Sequence, residues 1–199
     1  MLIIGHRGAA GLAKENTIGS FQKAVELGVD MVETDLRRDK AGQIVLSHNN
    51  SSKLNLTTLA EALGVITVPV NLELKQAGLE REVLSAIKNF SSSVLISSKY
   101  PKILQKIRAL DESVQLGLVI GKANWFLIPF IPKLDKVLKL YSIHPKTFLA
   151  KKLLIQRFRR LGKKVFVWTV NNPTQFQKLK ALGIDGVFTD YPNIIKNYD

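Results

Sequence analysis

Cysteine is absent from this 199-residue chain, which excludes a disulfide framework, thiolate zinc ligands and a cysteine nucleophile. Long apolar runs are absent too. The longest candidate, Trp125 to Ile131, holds Pro129 and is followed by Pro132. It falls well short of the roughly 18 residues that cross a bilayer. The apolar start Leu2-Ile3-Ile4 lacks a basic flank and ends at polar His6, so it does not read as a signal peptide. The expectation is a cytoplasmic protein, complete from residue 1. Acidic residues are scarce, 16 against 29 Lys+Arg, for a net charge of +13. Apolar residues make up 46%, too many for a disordered chain. This length buries a full core without a covalent or metal staple, and one domain over residues 1–199 is expected.

The positive excess is uneven. Residues 1–100 hold 11 Lys+Arg and 10 Asp+Glu, whereas residues 101–199 hold 18 and 6. Such asymmetry fits an anionic partner or an ordinary solvated helix face. In the expected helix Thr147–Leu161, Lys152, Gln156, Arg159, Arg160 and Lys163 share one face, opposite Ala150, Leu154, Phe158 and Leu161. No nucleic-acid docking motif accompanies these cations, so nucleic acid is not an expected partner. A nuclease reading rests on the charge alone.

Strand-like and helix-like segments alternate. β-rich runs fall at Leu2–Gly5, Met31–Leu36, Ile44–Ser47, Val68–Leu74, Val94–Ser97, Leu116–Ile120, Val137–Ser142, Lys164–Val170 and Gly186–Thr189. Amphipathic stretches fall at Thr17–Leu27, Leu79–Phe90, Pro101–Leu110, Thr147–Leu161 and Pro173–Leu182. This pattern argues for βαβ units and a parallel sheet. With Met31–Leu36 and Ile44–Ser47 taken as one hairpin-like excursion, eight units remain. That predicts a (β/α)₈ TIM barrel, minimal and short-looped, because the fold usually takes about 250 residues. An open doubly wound sheet is the alternative, but no G-x-G-x-x-G follows the first strand.

Rare polar groups fall at strand ends. His6-Arg7-Gly8 follows the first strand, and Glu33 and Asp35 lie two apart on the second. Residues i and i+2 of a strand share a face. His48 ends the third run, and Glu73 and Lys75 are two apart at the end of the fourth. Trp168, Asn171 and Asp190 end the last two. In a barrel these converge on the C-terminal mouth. Three carboxylates in one cavity need compensation, which a hard divalent cation with oxygen ligands provides. Arg7 and Lys75 suit a phosphate-like anion, and His6 and His48 offer a base and an acid near neutral pH. Together they read as phosphoryl-ester chemistry.

These residues resemble the glycerophosphodiester phosphodiesterase family. The resemblance begins with IIGHRGAAGLAKENTIGSFQKAVELGVDMVETDLRRDKAGQIVLSHN at 3–49. It returns in VNLELK at 70–75, VFVWTVNNP at 165–173 and GIDGVFTDYP at 183–192. Residues 100–160 are the least distinctive. The resemblance implies a (β/α)₈ barrel that hydrolyses glycerophosphodiesters to an alcohol and sn-glycerol 3-phosphate. It implies His6 as general base and His48 as general acid, with the exchange of these two roles as the alternative, and Glu33, Asp35 and Glu73 as ligands of Mg²⁺ or Ca²⁺. Arg7 and Lys75 match phosphate-binding positions, and Trp168 matches an aromatic at the substrate pocket. Glu15 and Asn16 match a pair that builds the mouth and orders the histidine loop. Some family members act on lysophospholipids, and a non-catalytic lipid binder is a further alternative.

The sequence departs from the family at Asn49, where Asp commonly follows the histidine, and at Lys14, where Pro is common. The connection from His48 to Glu73 is short, so a covering insertion is expected to be small or absent and the mouth open. His144 reads equally as a mouth residue or a hydrogen-bonded structural histidine. Asp190 is expected to cap a turn rather than take part in chemistry. Ser97 and Ser98 have no adjacent base. Ala123–Leu134 is expected to be a loop at the mouth, either a buried lid or a contact with anionic membrane through Trp125, Phe126 and Phe130.

Overall fold

The structure, a computed structural model, describes residues 1–50 and 55–198. Strands β1 (Leu2–Gly5), β2 (Met31–Arg38), β4 (Val70–Leu74), β5 (Val94–Ser98), β6 (Gln115–Ile120), β7 (Ser142–Pro145), β8 (Lys164–Val167) and β9 (Gly186–Thr189) pair in parallel. Pairing of β1 with β2, Ile4 opposite Met31, closes the ring. The expected (β/α)₈ barrel is therefore what the chain forms, and the open sheet is excluded. Strand β3 (Ile44–Leu46) runs antiparallel to the far end of β2, outside the ring.

Strand alternation sorts the side chains into two cores. Ile3, Val32, Leu72, Ile96 and Leu118 face outward and pack with Phe21, Leu104 and Phe158 of the surrounding helices. Ile4, Met31, Leu95, Phe166 and Phe188 face inward and fill the barrel floor. The helices are α1 (Ile18–Glu26), α2 (Leu59–Val65), α3 (Glu80–Ala86), α4 (Pro101–Leu110), α5 (Ile131–Leu138), α6 (Lys152–Arg160), α7 (Pro173–Ala181) and α8 (Pro192–Lys196). Helix α2 was missed by periodicity because it is short, although a capping box of Thr58 and Glu61 marks its start.

Three other expectations need correction. Val137–Ser142 is not a strand. Its β-rich residues end α5, whose Ile131 and Leu138 are buried at helical spacing while Val137 is exposed. Lys139 stops that helix in the left-handed conformation (φ 48°), and β7 starts at Ser142. Residues 147–161 are not one helix. A 3₁₀ turn, Thr147–Leu149, precedes α6, which does keep the expected basic outer face. The segment expected as a loop from Ala123 is a 3₁₀ helix over Trp125–Phe130 running into α5, and none of its six residues is buried. The buried-lid reading therefore fails. Residues 51–54, part of the short connection after His48, lie outside the described residues.

Candidate active site

Each mouth residue owes its place to a local rule. Arg7 and Gly8 both take positive φ (52° and 85°), turning the chain back after β1. A Cβ at Gly8 would lie 2.3 Å from Ser20 Oγ, so only glycine fits. The turn leaves His6 and Arg7 over the barrel opening, and Arg7 N–H donates to Glu33 Oε2 at 2.9 Å. Glu33 and Asp35 follow Met31 on the inward face of β2, and Asn71 and Glu73 do the same on β4. The β2–β3 hairpin explains His48. Its antiparallel return brings Ser47 N–H to Asp35 O at 2.9 Å, so the next residue re-enters the mouth.

Glu33, Asp35 and Glu73 are buried, and each offers an oxygen within 4.8 Å of the others. Lys75 Nζ bridges Asp35 Oδ1 and Glu73 Oε1, both at 2.8 Å. Arg7 Nε meets Asp35 Oδ2 at 3.0 Å, and its Nη1 donates to exposed Glu15 Oε2 at 2.5 Å. Asn16 is buried and holds the back of Asp35: its Nδ2 donates to Oδ2 at 3.2 Å, and its Oδ1 accepts from Thr34 Oγ1 at 2.8 Å. Burial pushes Asp35 up, but Lys75 and Arg7 outweigh it and hold its carboxyl below the usual range. Among the described residues, Glu33 has no such cation in contact. Burial, and then the charge of Asp35, push it up to about 7. Burial also raises Glu73, against the pull of Lys75. An all-oxygen, electron-rich cluster with one strained carboxylate fits a hard divalent ion.

The two histidines sit in contrasting settings. His6 Nδ1 lies 2.7 Å from Asp190 Oδ1, and its Nε2 lies 4.0 Å from Glu33. Burial would lower its pKa, but the bond to Asp190 and the charge of Glu33 raise it. Asp190 is thus no turn cap. Its Oδ2 accepts from Asn171 Nδ2 at 2.5 Å, and Thr189 Oγ1 serves the turn by accepting from Tyr191 N–H. Sequence reasoning missed this role because 184 residues separate the pair. The only available clue was that both fall at strand ends. His48 is half-buried, with Nδ1 3.1 Å from Asn49 Oδ1. Burial and nearby Lys75 lower its pKa. Asn49 therefore keeps the hydrogen bond that a carboxylate would make, without the charge.

Trp168 is half-buried on the pocket wall, its Nε1 donating to His144 O at 2.7 Å with Lys146 over the ring. His144 lies deeper, between Phe166 and Phe188, with Nε2 2.7 Å from Ser142 Oγ. Gly117 makes room for it, since a Cβ there would lie 2.6 Å from its ring. His144 Nδ1 and Asn71 Oδ1 are buried on the pocket floor without partners among the described residues. Asn71 was missed in the sequence, although it stands two residues before Glu73 on the same face. Ser97 also lacks a partner among the described residues, and Ser98 donates to Leu74 O, so among them neither forms a nucleophile–base pair.

Burial alone pushes His144 down to about 3. Between its unfolded value of 6.5 and that value, the unfolded chain binds a proton that the native chain refuses. Stability therefore falls with pH across this window, by about 1.4 kcal/mol per pH unit, and is unaffected by this residue above it. Urea unfolding from about pH 7.5 to about pH 5 is expected to lose about 2 kcal/mol through His144. His144→Asn is expected to be less stable at neutral pH but to show a shallower acid slope. An unchanged slope would assign the loss to other groups.

A closed parallel barrel whose mouth gathers three acids, two cations and a histidine pair defines the site of a hydrolase acting on phosphate esters. The family model for the glycerophosphoryl diester phosphodiesterase family matches residues 6–77 and 65–194. YhdW of Bacillus subtilis, provisionally named a glycerophosphodiester phosphodiesterase, is 31% identical over 98% of this chain and 96% of its own. The crystal structure of the glycerophosphodiester phosphodiesterase from Thermotoga maritima superposes with a TM-score of 0.89 at 27% identity, covering 100% of this chain and 98% of that one. An Oleispira antarctica phosphodiesterase, solved with its product sn-glycerol-3-phosphate, gives 0.87 at 25% identity, covering 100% and 96%. The chain belongs to the glycerophosphoryl diester phosphodiesterase family and is a phosphoric diester hydrolase.

Proposed function

We propose that this chain hydrolyses glycerophosphodiesters to sn-glycerol 3-phosphate and an alcohol, with His6 and His48 moving the protons and a divalent cation on Glu33, Asp35 and Glu73. The observation that carries the reading is the buried carboxylate cluster, within 4.8 Å atom to atom, lying under the two histidines and beside Arg7 and Lys75. A Mg²⁺ or Ca²⁺ ion there would offset the acidic charge and stabilise the developing charge on the phosphate oxygens.

The chain's own groups supply the rest. Asp190 fixes the Nδ1–H tautomer of His6, which leaves Nε2 as a proton acceptor of raised affinity. His6 takes the proton of the glycerol hydroxyl beside the phosphate. That oxygen bonds to phosphorus as the bond to the alcohol breaks. His48 gives its proton to the departing oxygen. Water then opens the cyclic phosphate, with the two roles reversed. Arg7 and Lys75 face the non-bridging oxygens. Glu15 and Asn16 act as positioning residues for Arg7 and Asp35, and Trp168 walls the substrate. The unpartnered Asn71 Oδ1 and His144 Nδ1 suit the hydroxyl groups of the glycerol.

Release of glycerol 3-phosphate from glycerophosphocholine is expected with Mg²⁺ or Ca²⁺ and is expected to stop under EDTA, with a cyclic phosphate trapped at early times. Folded protein that releases none with either ion overturns the reading. A second substrate class, lysophospholipids, is favoured by the exposed apolar residues beside the mouth.

A further inference from the structure

We propose that the rim of the mouth built by Trp125–Phe130 and the adjoining turns is a docking surface for an anionic lipid bilayer. The 3₁₀ helix Trp125–Phe130 reads WFLIPF, whose one polar side-chain group is the Trp125 indole N–H. Trp125, Phe126 and Phe130 are 58%, 57% and 58% exposed, far from the burial that large apolar side chains usually reach. The helix does not fold over the pocket as a lid. It stands on a fixed base: buried Asn124 donates to Lys99 O at 3.0 Å and to Val119 O at 2.8 Å, and accepts from Gly121 N–H at 2.8 Å. Gly121, Ala123 and Asn124 themselves line the pocket, so the aromatic turn begins at the edge of the active site.

Neighbouring turns extend the patch. Tyr100 precedes α4 and Phe148 precedes α6, and both are exposed. Both turns follow strand C-termini, so they lie on the same end of the barrel as the mouth. Scattered exposed apolar residues are ordinary, but five large rings gathered at one end beside a site are not.

The surrounding charge selects the partner. From residue 113 to residue 184 there are 14 Lys+Arg and a single acid, Asp135. That acid is already engaged, 2.9 Å from Lys163 Nζ and accepting from Leu140 N–H. Lys102, Lys122 and Lys133 stand exposed around the aromatic turn. A projecting apolar turn ringed by lysines matches the interface of an anionic membrane, where rings enter the headgroup boundary and lysines meet lipid phosphates. Nucleic acid fits less well, because the Trp125 indole N–H is the one side-chain hydrogen-bonding group in WFLIPF, and the other five side chains offer a base edge or a phosphate none.

Docking would set the mouth against the headgroup layer. Any consequence for turnover of membrane-borne substrates rests on the reaction proposed above, whereas binding itself does not.

The test is sedimentation with vesicles of phosphatidylcholine alone and of phosphatidylcholine with phosphatidylglycerol, at low and high salt. The full chain is expected to pellet with the anionic vesicles at low salt and to be released by high salt. The triple variant Trp125→Ser, Phe126→Ser, Phe130→Ser is expected to bind at least about tenfold less, while keeping its melting temperature and its hydrolysis of soluble glycerophosphocholine. The chain holds only two tryptophans, so a blue shift of emission on vesicle addition that disappears in Trp125→Phe would place Trp125 at the interface. No binding to anionic vesicles at low salt, equal binding by the triple variant, or retention on duplex DNA with no retention on vesicles would each overturn the proposal. Hydrolysis of the soluble substrate reports separately on the reaction.

Discussion

His6→Ala is expected to lower kcat by about 10²- to 10⁴-fold with little change in KM, the range set by losing one positioned proton-transfer group. Glycerol 3-phosphate release from glycerophosphocholine measures it. His48→Ala is expected to lose a similar factor. The double variant should be barely worse than either, because the two groups serve one proton relay. Asp190→Asn tests the structural reason. The amide cannot hold the Nδ1–H tautomer as a carboxylate does, and it removes the contact that raises the proton affinity of His6. A loss on the order of 10² in kcat is expected, with melting temperature preserved. If Asp190→Asn is fully active, the 2.7 Å contact is structural and His6 needs no orienting partner.

Glu33→Gln is expected to move stability in opposite directions with and without metal. The Glu33 carboxyl is raised to about 7 from 4.5, burial being the main cause and Asp35 the next. For an acid whose folded pKa is raised, the native chain holds a proton that the unfolded chain has lost. Its share of stability therefore falls as pH rises from about 4.5 to about 7 and stays lost above that. Glu33→Gln removes this cost. The metal-free variant is expected to melt a few degrees above the metal-free wild type near pH 7.5, at about 2–4 °C per kcal/mol for a chain of this size. Saturating Mg²⁺ or Ca²⁺ is expected to stabilise the wild type, by about 2.7 kcal/mol at a hundredfold excess over Kd, and the variant far less. Hydrolysis by the variant should fall with its metal affinity. Scanning calorimetry with EDTA or with the ion decides it. Equal metal-induced shifts in both proteins would remove Glu33 from the ligand set.

Much of this molecule was readable in one dimension. Strand–helix alternation specified eight parallel units, because burying one face of a helix against a two-sided sheet requires that rhythm. The i, i+2 spacing of Glu33 with Asp35 and of Glu73 with Lys75 put each pair on one face at a strand end, since the strand period is two. The misreadings share a cause. Val137 and Leu138 have β-favouring neighbours, yet Pro132 and the buried Ile131–Leu138 face made them helical. Propensity yields to packing when both patterns fit a short apolar run. Asn71 and His144 were legible as polar residues on strands, but not as a pocket floor, because inward or outward facing depends on how the ring closes.

The sequence by itself determined the barrel class, the acid, cation and histidine set, and the concentration of positive charge after residue 100, since all three are written in order and composition. Only the tertiary structure decided which group orients His6, how a hairpin returns His48 beside Asp35, and that Trp125–Phe130 stands outward from the mouth. The physical reason is ring closure. It joins the first and last strands, brings Asp190 within 2.7 Å of a histidine 184 residues away, and sets by packing which apolar side chains remain outside.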